Sequence, residues 1–135
     1  MTPSGFSFPV PAGWSRGSGY SHAVVGEGRT VFLAGQIGWD PVTLVVAPGG
    51  LVAQTRQAFQ NIVTLLAAAG AGAEHIVRLT WFITDREAYL RERAAIGAAY
   101  RDVIGRHFPA MSVVVVAALL EPGAVVEIEA TAVIP

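Results

Sequence analysis

The spacing of apolar residues changes several times along this chain, and the order of those changes constrains the fold. Apolar residues recur at helical spacing from about Leu51 to Ala69, then alternate with polar ones from His75 to Ile83. A second helix is predicted to begin at a capping box, with Thr84 as N-cap and Glu87 at N3, and to run to about Ile104. Helices interleaved with strands indicate a single domain of the α+β class.

The N-terminal part of the chain predicts a hairpin. Residues 1–19 are rich in Gly, Pro and Ser and predict an irregular segment. Tyr20–Val25 and Thr30–Ala34 are short strand-like runs separated by the turn residues 26–28. A brief extra strand is predicted over Thr43–Ala47.

Two strands close the chain. Met111–Ala118 is apolar at nearly every position, which is typical of a strand buried on both faces, and Val125–Val133 predicts the last strand. With about five or six strands and two helices, we expect one mixed sheet with both helices on one face. The other face is too apolar to meet water, which favours oligomerisation.

Composition excludes several classes of function. The chain has 135 residues, 53% of them hydrophobic and 14% charged, with a net charge of −1. All nine basic residues are arginine and no basic run occurs, so no nucleic-acid partner is expected. The absence of lysine and cysteine excludes Schiff-base and thiolate chemistry. No secretory signal and no membrane-spanning run is recognisable, so we expect a cytoplasmic protein without a membrane partner.

Two glutamates on the last predicted strand are candidate functional residues. Glu127 and Glu129 alternate on one face, while their neighbours are apolar. One interpretation is a solvated pair that protects a strand edge. The other is that Glu127 serves a site and Glu129 an ion pair or an interface, because charges in a core-like strand need a reason.

Several segments, in order, resemble the RidA (YjgF-like) family. The resemblance covers most of the chain from about Tyr20 onward. It is carried by Gly19–Val24, by Val31–Gly38 with Ala34 in place of the usual serine, by the helix Gln54–Gly70, by Pro109–Ser112 and by Glu127–Ala130.

The resemblance implies a fold and a site. The fold is similar to that of small trimeric chorismate mutases, and members form homotrimers with a central barrel of sheets and small-molecule clefts between subunits. In deaminating members, the residue matching Glu127 handles water or protons. Residues matching Tyr20, Ala34 and Gly35 help to position the ligand, and Ser112 lies in the binding turn.

Met111 stands where the deaminating members carry a substrate-binding arginine. It either fills a gap in the core or interface, or lines the cleft beside an apolar part of the ligand. An arginine–carboxylate contact contributes roughly 1.5–3 kcal/mol, so another cation would have to replace it. The further candidates near the cleft are Arg16, His22, Trp39, Arg106 and His107, each of which also has a plain structural interpretation.

Two functions stay open at this point. One is hydrolytic deamination of a reactive enamine or imine, or a related water addition, with an altered substrate preference. The other is a non-catalytic trimer that binds a small metabolite or has a regulatory role. Ribonuclease activity, a label the wider family has carried, is disfavoured by the charge. No cofactor is expected, and the three histidines lack metal-ligand spacing.

Overall fold

The computed structural model describes residues 5–135 and contains one four-stranded sheet. The strands are β1 (Arg29–Ile37), β2 (Ile76–Ile83), β3 (Ala110–Val115) and β4 (Val126–Ile134). Their order across the sheet is β1-β4-β2-β3, with β4 antiparallel to both neighbours and β2 parallel to β3. The mixed sheet and α+β class are as predicted, although this part of the chain has four strands rather than five or six.

The helices occupy one face of this sheet. They are α1 (Gly50–Ala68), α2 (Arg86–Arg91) and α3 (Arg93–Val103), with a short 3₁₀ turn over Ala73–His75. The helix α1 packs on β1 and β4 and also contacts α3. Phe59 of α1 meets the rings of Trp81 and Tyr100 edge-on, with ring centroids 5.4 Å apart in both pairs. This aromatic contact ties both long helices to the middle of the sheet.

The predicted second helix differs in its start and its continuity. Asp85, not Thr84, is the N-cap, because its carboxylate accepts a hydrogen bond from the Ala88 amide at 3.0 Å. The Thr84 amide instead donates to the Val125 carbonyl at the end of the sheet. The helix is also interrupted at Glu92, which separates α2 from α3.

The predicted N-terminal hairpin is wrong. The Tyr20–Val25 segment forms only isolated bridges, Ser7 with Val25 and Ser21 with Ala110. Ser21 donates its amide to Pro109 and its hydroxyl to Phe108, which holds the segment against the start of β3. Residues 5–19 form no helix or strand, and residues 1–4 of the predicted irregular segment lie outside the described residues. The extra strand at Thr43–Ala47 is reduced to a bridge between Trp39 and Val46.

The strand β3 lies at the sheet edge and is not buried on both faces in the single chain. Val113, Val114 and Val115 are 38, 42 and 50% exposed. Their sequence predicts burial because it is uniformly apolar, yet α1, α2 and α3 make few contacts with this strand. Phe32 of β1, on the sheet face without helices, is 78% exposed. The sheet therefore presents apolar residues on the face that the helices leave open.

Candidate functional site

Glu127 lies on the open face of the sheet. Its neighbours Val126 and Ile128 are buried toward the helices, so strand alternation directs the Glu127 side chain to the other face. The side chain is half-buried, and it forms no ion pair within residues 5–135. A carboxylate in this setting is available to a ligand or to water.

Gly35 makes room for that carboxylate. Ala34 and Gly35 together oppose Glu129 of β4, so the register between β1 and β4 shifts at a bulge. A Cβ atom at position 35 would overlap the Glu127 carboxylate and would lie 2.9 Å from both Cγ and Cδ of Glu127. The sequence-predicted residues Ala34, Gly35 and Glu127 therefore form one cluster.

Ser112 and Glu129 share the open face; Glu129 borders this cluster, opposite Ala34 and Gly35, whereas Ser112 lies outside it. Ser112 pairs with Thr80 of β2, and Thr80 pairs with Glu129 of β4. Two strand spacings, about 10 Å, separate β3 from β4 along this row. Glu129 is exposed and, among the described residues, has no ion-pair partner.

Met111 belongs to a different surface. It pairs with Leu79, a buried residue on the helix side of β2, and it packs against the core. Met111 and Glu127 thus face opposite sides of the sheet within one chain. Met111 lines a cavity of about 310 Å³ between the sheet and α3, which also reaches Ser18 and Gly19. The other lining residues are Trp81, Tyr89, Arg93, Ile96, Gly97, Tyr100, Arg101 and Phe108.

Tyr20 sits beside this cavity rather than in its lining. Its ring lies over Gly17, where a Cβ atom would be only 2.7 Å from ring atoms. Tyr20, Arg16 and His22 line a separate small cavity of about 90 Å³. The Nε2 atom of His22 donates a hydrogen bond to the Ser15 carbonyl at 2.7 Å, and the His22 ring meets the Tyr20 ring edge-on. Three of the predicted residues therefore come together, although not around Met111.

The remaining predicted cations and Trp39 do not line the Met111 cavity. His107 is buried, and its Nε2 donates to the Ile76 carbonyl at 2.6 Å. Burial lowers the pKa of His107, so the ring is held neutral and serves structure. Arg106 is exposed to solvent and is not among the residues that line the Met111 cavity. Trp39 lies in the loop after β1, where its carbonyl accepts from the Asn61 side chain.

The sequence interpretation missed the cationic side chains of the Met111 cavity. Arg93 and Arg101 both line it, and with Gly97 between them they recur every four residues along α3. Such a stripe covers one face of a helix, which is the signal that could have identified them. Within residues 5–135, no group of three His, Asp or Glu side chains is placed to hold a metal ion. None of the helices over the same range is long and apolar enough to cross a membrane.

Comparison with known proteins identifies the family. The sequence profile described as Endoribonuclease L-PSP matches residues 15–134. The chain therefore belongs to this family, which includes the RidA and YjgF-like proteins. A goat protein named 2-iminobutanoate/2-iminopropanoate deaminase is 38% identical over 114 residues, covering 84% of this chain and 79% of the relative. Protein DfrA of Myxococcus xanthus is 40% identical over 119 residues, with 84% of each covered.

Solved structures agree with this assignment. The Rid-family protein YyfB of Yersinia pestis superposes with a TM-score of 0.83 at 34% identity, covering 96% of this chain and 98% of that one. RidA from an Antarctic Psychrobacter gives 0.69 at 35% identity, covering 93% of each chain. The α+β fold predicted from the resemblance is thus confirmed for the single chain.

Proposed function

We propose that this protein hydrolyses a reactive 2-imino acid, or its enamine tautomer, to the 2-oxo acid and ammonia. The observation that carries the proposal is the Glu127 carboxylate, seated against Gly35 on a bulged strand and without an ion-pair partner among the described residues. Relatives named as imine deaminases support the same reaction class.

The chemistry needs one proton-transfer group. A water oxygen bonds to the imine carbon while Glu127 accepts a water proton and passes it to the nitrogen. Glu127 then transfers the hydroxyl proton of the resulting carbinolamine to its amino nitrogen, the C–N bond breaks, ammonia leaves and the C=O bond of the 2-oxo acid forms. One water is consumed, and no electron donor or acceptor is required.

We further propose that the active site forms between subunits of a homotrimer. Glu127 and Met111 face opposite sides of the sheet, so one chain alone does not bring them around one ligand. A neighbour that covers the open face would place its Met111 cavity near Glu127. The exposed Phe32 and Val114 support such a contact, because apolar surface of this kind favours burial. A trimer has a mass of about 42 kDa in sedimentation, three times the 14.1 kDa of the chain; a 14 kDa species at micromolar concentration would contradict it.

The test is ammonia release from imines generated in situ by an amino-acid oxidase. Wild-type protein should accelerate release over the enzyme-free rate, Glu127→Ala should abolish the acceleration, and Glu129→Ala on the same strand should retain it. Acceleration that survives Glu127→Ala would refute the assigned role.

Met111 favours a second candidate, a non-catalytic trimer that binds a small metabolite in the same clefts. The same assay separates the two functions through Met111→Arg. If the wild type matches the enzyme-free rate while Met111→Arg gains activity, the scaffold is competent and the native function is binding.

A further inference from the structure

The Met111 cavity carries positive charge although Met111 itself does not. Arg93 and Arg101 line it, and none of its lining residues is Asp or Glu. The ion pairs among residues 5–135 involve Arg56, Arg86 and His75, so neither cavity arginine is neutralised by a described carboxylate. An unneutralised pair of guanidinium groups in a cavity is suited to an anion.

Arg93 and Arg101 lie two turns apart on the same face of α3. Their Cα atoms are eight residues apart, about 12 Å along the helix axis. Arg101 folds back toward the helix N-terminus, and its Nη1 lies 3.3 Å from where a Cβ atom of Gly97 would be. The Arg101 head therefore lies at the level of Gly97, between the Cα atoms of the two arginines. The absence of a side chain at Gly97 leaves this position open to the guanidinium group.

The rest of the cavity is aromatic and apolar. Phe108 stacks on Tyr100 with ring centroids 5.4 Å apart and an angle of 12° between the planes. Trp81 meets Tyr89 edge-on at 6.2 Å, and Met111 completes this side. The Trp81 indole N–H is buried and has no hydrogen-bond acceptor in the described residues. A volume of about 310 Å³ lies at the lower end of the range for small-molecule pockets.

We infer that Arg93 and Arg101 bind the substrate carboxylate from the helix wall, replacing the strand arginine whose place Met111 takes. Methionine at 111 then leaves room for an apolar side chain next to Phe108 and Trp81. The ligand class is a 2-imino acid with an aromatic or large aliphatic side chain. This inference rests on the proposed function and names its substrate class.

The test measures binding directly, so that it does not depend on turnover. Phenylpyruvate and pyruvate are stable 2-oxo acids that differ in their side chains, and their binding is followed by titration calorimetry. Wild type should bind phenylpyruvate at least tenfold more tightly than pyruvate. Arg93→Gln and Arg101→Gln should each weaken phenylpyruvate binding roughly tenfold to hundredfold, the range for a charge-assisted pair. Arg86→Gln, an exposed arginine outside the cavity, is the matched control and should bind as wild type does.

A rescue variant distinguishes the loss of a substrate-binding arginine from the loss of folding. In Arg93→Gln/Met111→Arg the cation returns to the strand, so carboxylate binding should recover while the preference shifts to pyruvate. Equal binding of phenylpyruvate by wild type, Arg93→Gln and Arg101→Gln would overturn the inference, as would a wild-type preference for pyruvate. If deamination is observed but neither variant affects binding, the inference fails and the proposed function stands. If arginine-dependent binding occurs without deamination, the carboxylate site stands and the reaction is refuted.

Discussion

Substitution of Gly35 by alanine tests whether the β1 bulge positions the candidate catalytic group. The added Cβ would lie 2.9 Å from Cγ and Cδ of Glu127, whereas ordinary contacts begin at 3.4 Å, so these carbons must move by at least about 0.5 Å. The carboxylate oxygen nearest to the added atom must move further. A misplacement of about 1 Å can reduce turnover about 100-fold, and we expect a loss of this order for Gly35→Ala.

Stability should respond far less than activity. The Glu127 side chain can swing toward the open face, and alanine is favoured over glycine in a strand by about 0.5–1 kcal/mol, which offsets the crowding. The free energy of unfolding, measured by urea denaturation, should therefore stay within about 1 kcal/mol of wild type. Ammonia release from imines generated in situ measures the activity.

The result that refutes this reasoning is full activity of Gly35→Ala in a protein that Glu127→Ala inactivates. A double variant adds a sharper criterion. In Gly35→Ala/Glu127→Asp the shorter acid removes the closest contact of the added Cβ, that with the Glu127 carboxylate oxygen, although the contact with Cγ stays. The activity of the double variant should therefore fall by less than the product of the two separate losses. Multiplicative losses would mean that Gly35 does not act through Glu127.

Three further predictions concern stability and assembly. Asp85→Ala should lower the free energy of unfolding by about 1 kcal/mol because it removes the α2 cap, while Thr84→Ala should have a smaller effect in the same urea titration. Burial lowers the pKa of His107, so the folded state resists its protonation and stability should fall as the pH drops below the unfolded value of about 6.5. His107→Gln should show a flatter dependence of unfolding free energy on pH; an equally steep one would contradict this cause. Val114→Arg should shift the sedimenting species toward monomer, and an unchanged mass would place the interface elsewhere.

Sequence periodicity was sufficient to locate each helix or strand that has one buried face. The boundaries of β2, β4 and α1 agree with the predicted ones to within one residue at each end, because each element turns one apolar face to a single core. The prediction of an N-terminal hairpin failed for a physical reason. Ser21 pairs with Ala110, and a contact across so much of the chain leaves no local signal. Likewise, no helix-breaking residue in the sequence marks the interruption at Glu92.

The candidate site was predictable only in part. Glu127 and Gly35 could be found from charge in an apolar strand and from the resemblance, and the structure brings them together. Arg93 and Arg101 were missed because surface arginines on a helix are common, and only the position of α3 over Met111 makes them cavity residues. The opposite orientations of Glu127 and Met111 depend on strand register, which sequence alone specifies weakly when a strand is uniformly apolar.

Subunit complementation tests the central claim that Glu127 of one chain and the Met111 cavity of its neighbour form one catalytic site. Glu127→Ala keeps the cavity, whereas Met111→Glu places a like charge where the substrate carboxylate binds and keeps Glu127. Each variant alone should be inactive in ammonia release. When the two are co-expressed in equal amounts, every mixed trimer contains one native cleft, so about a quarter of the wild-type activity should return. Mixed trimers with no more activity than the two parent variants would contradict a site shared between subunits.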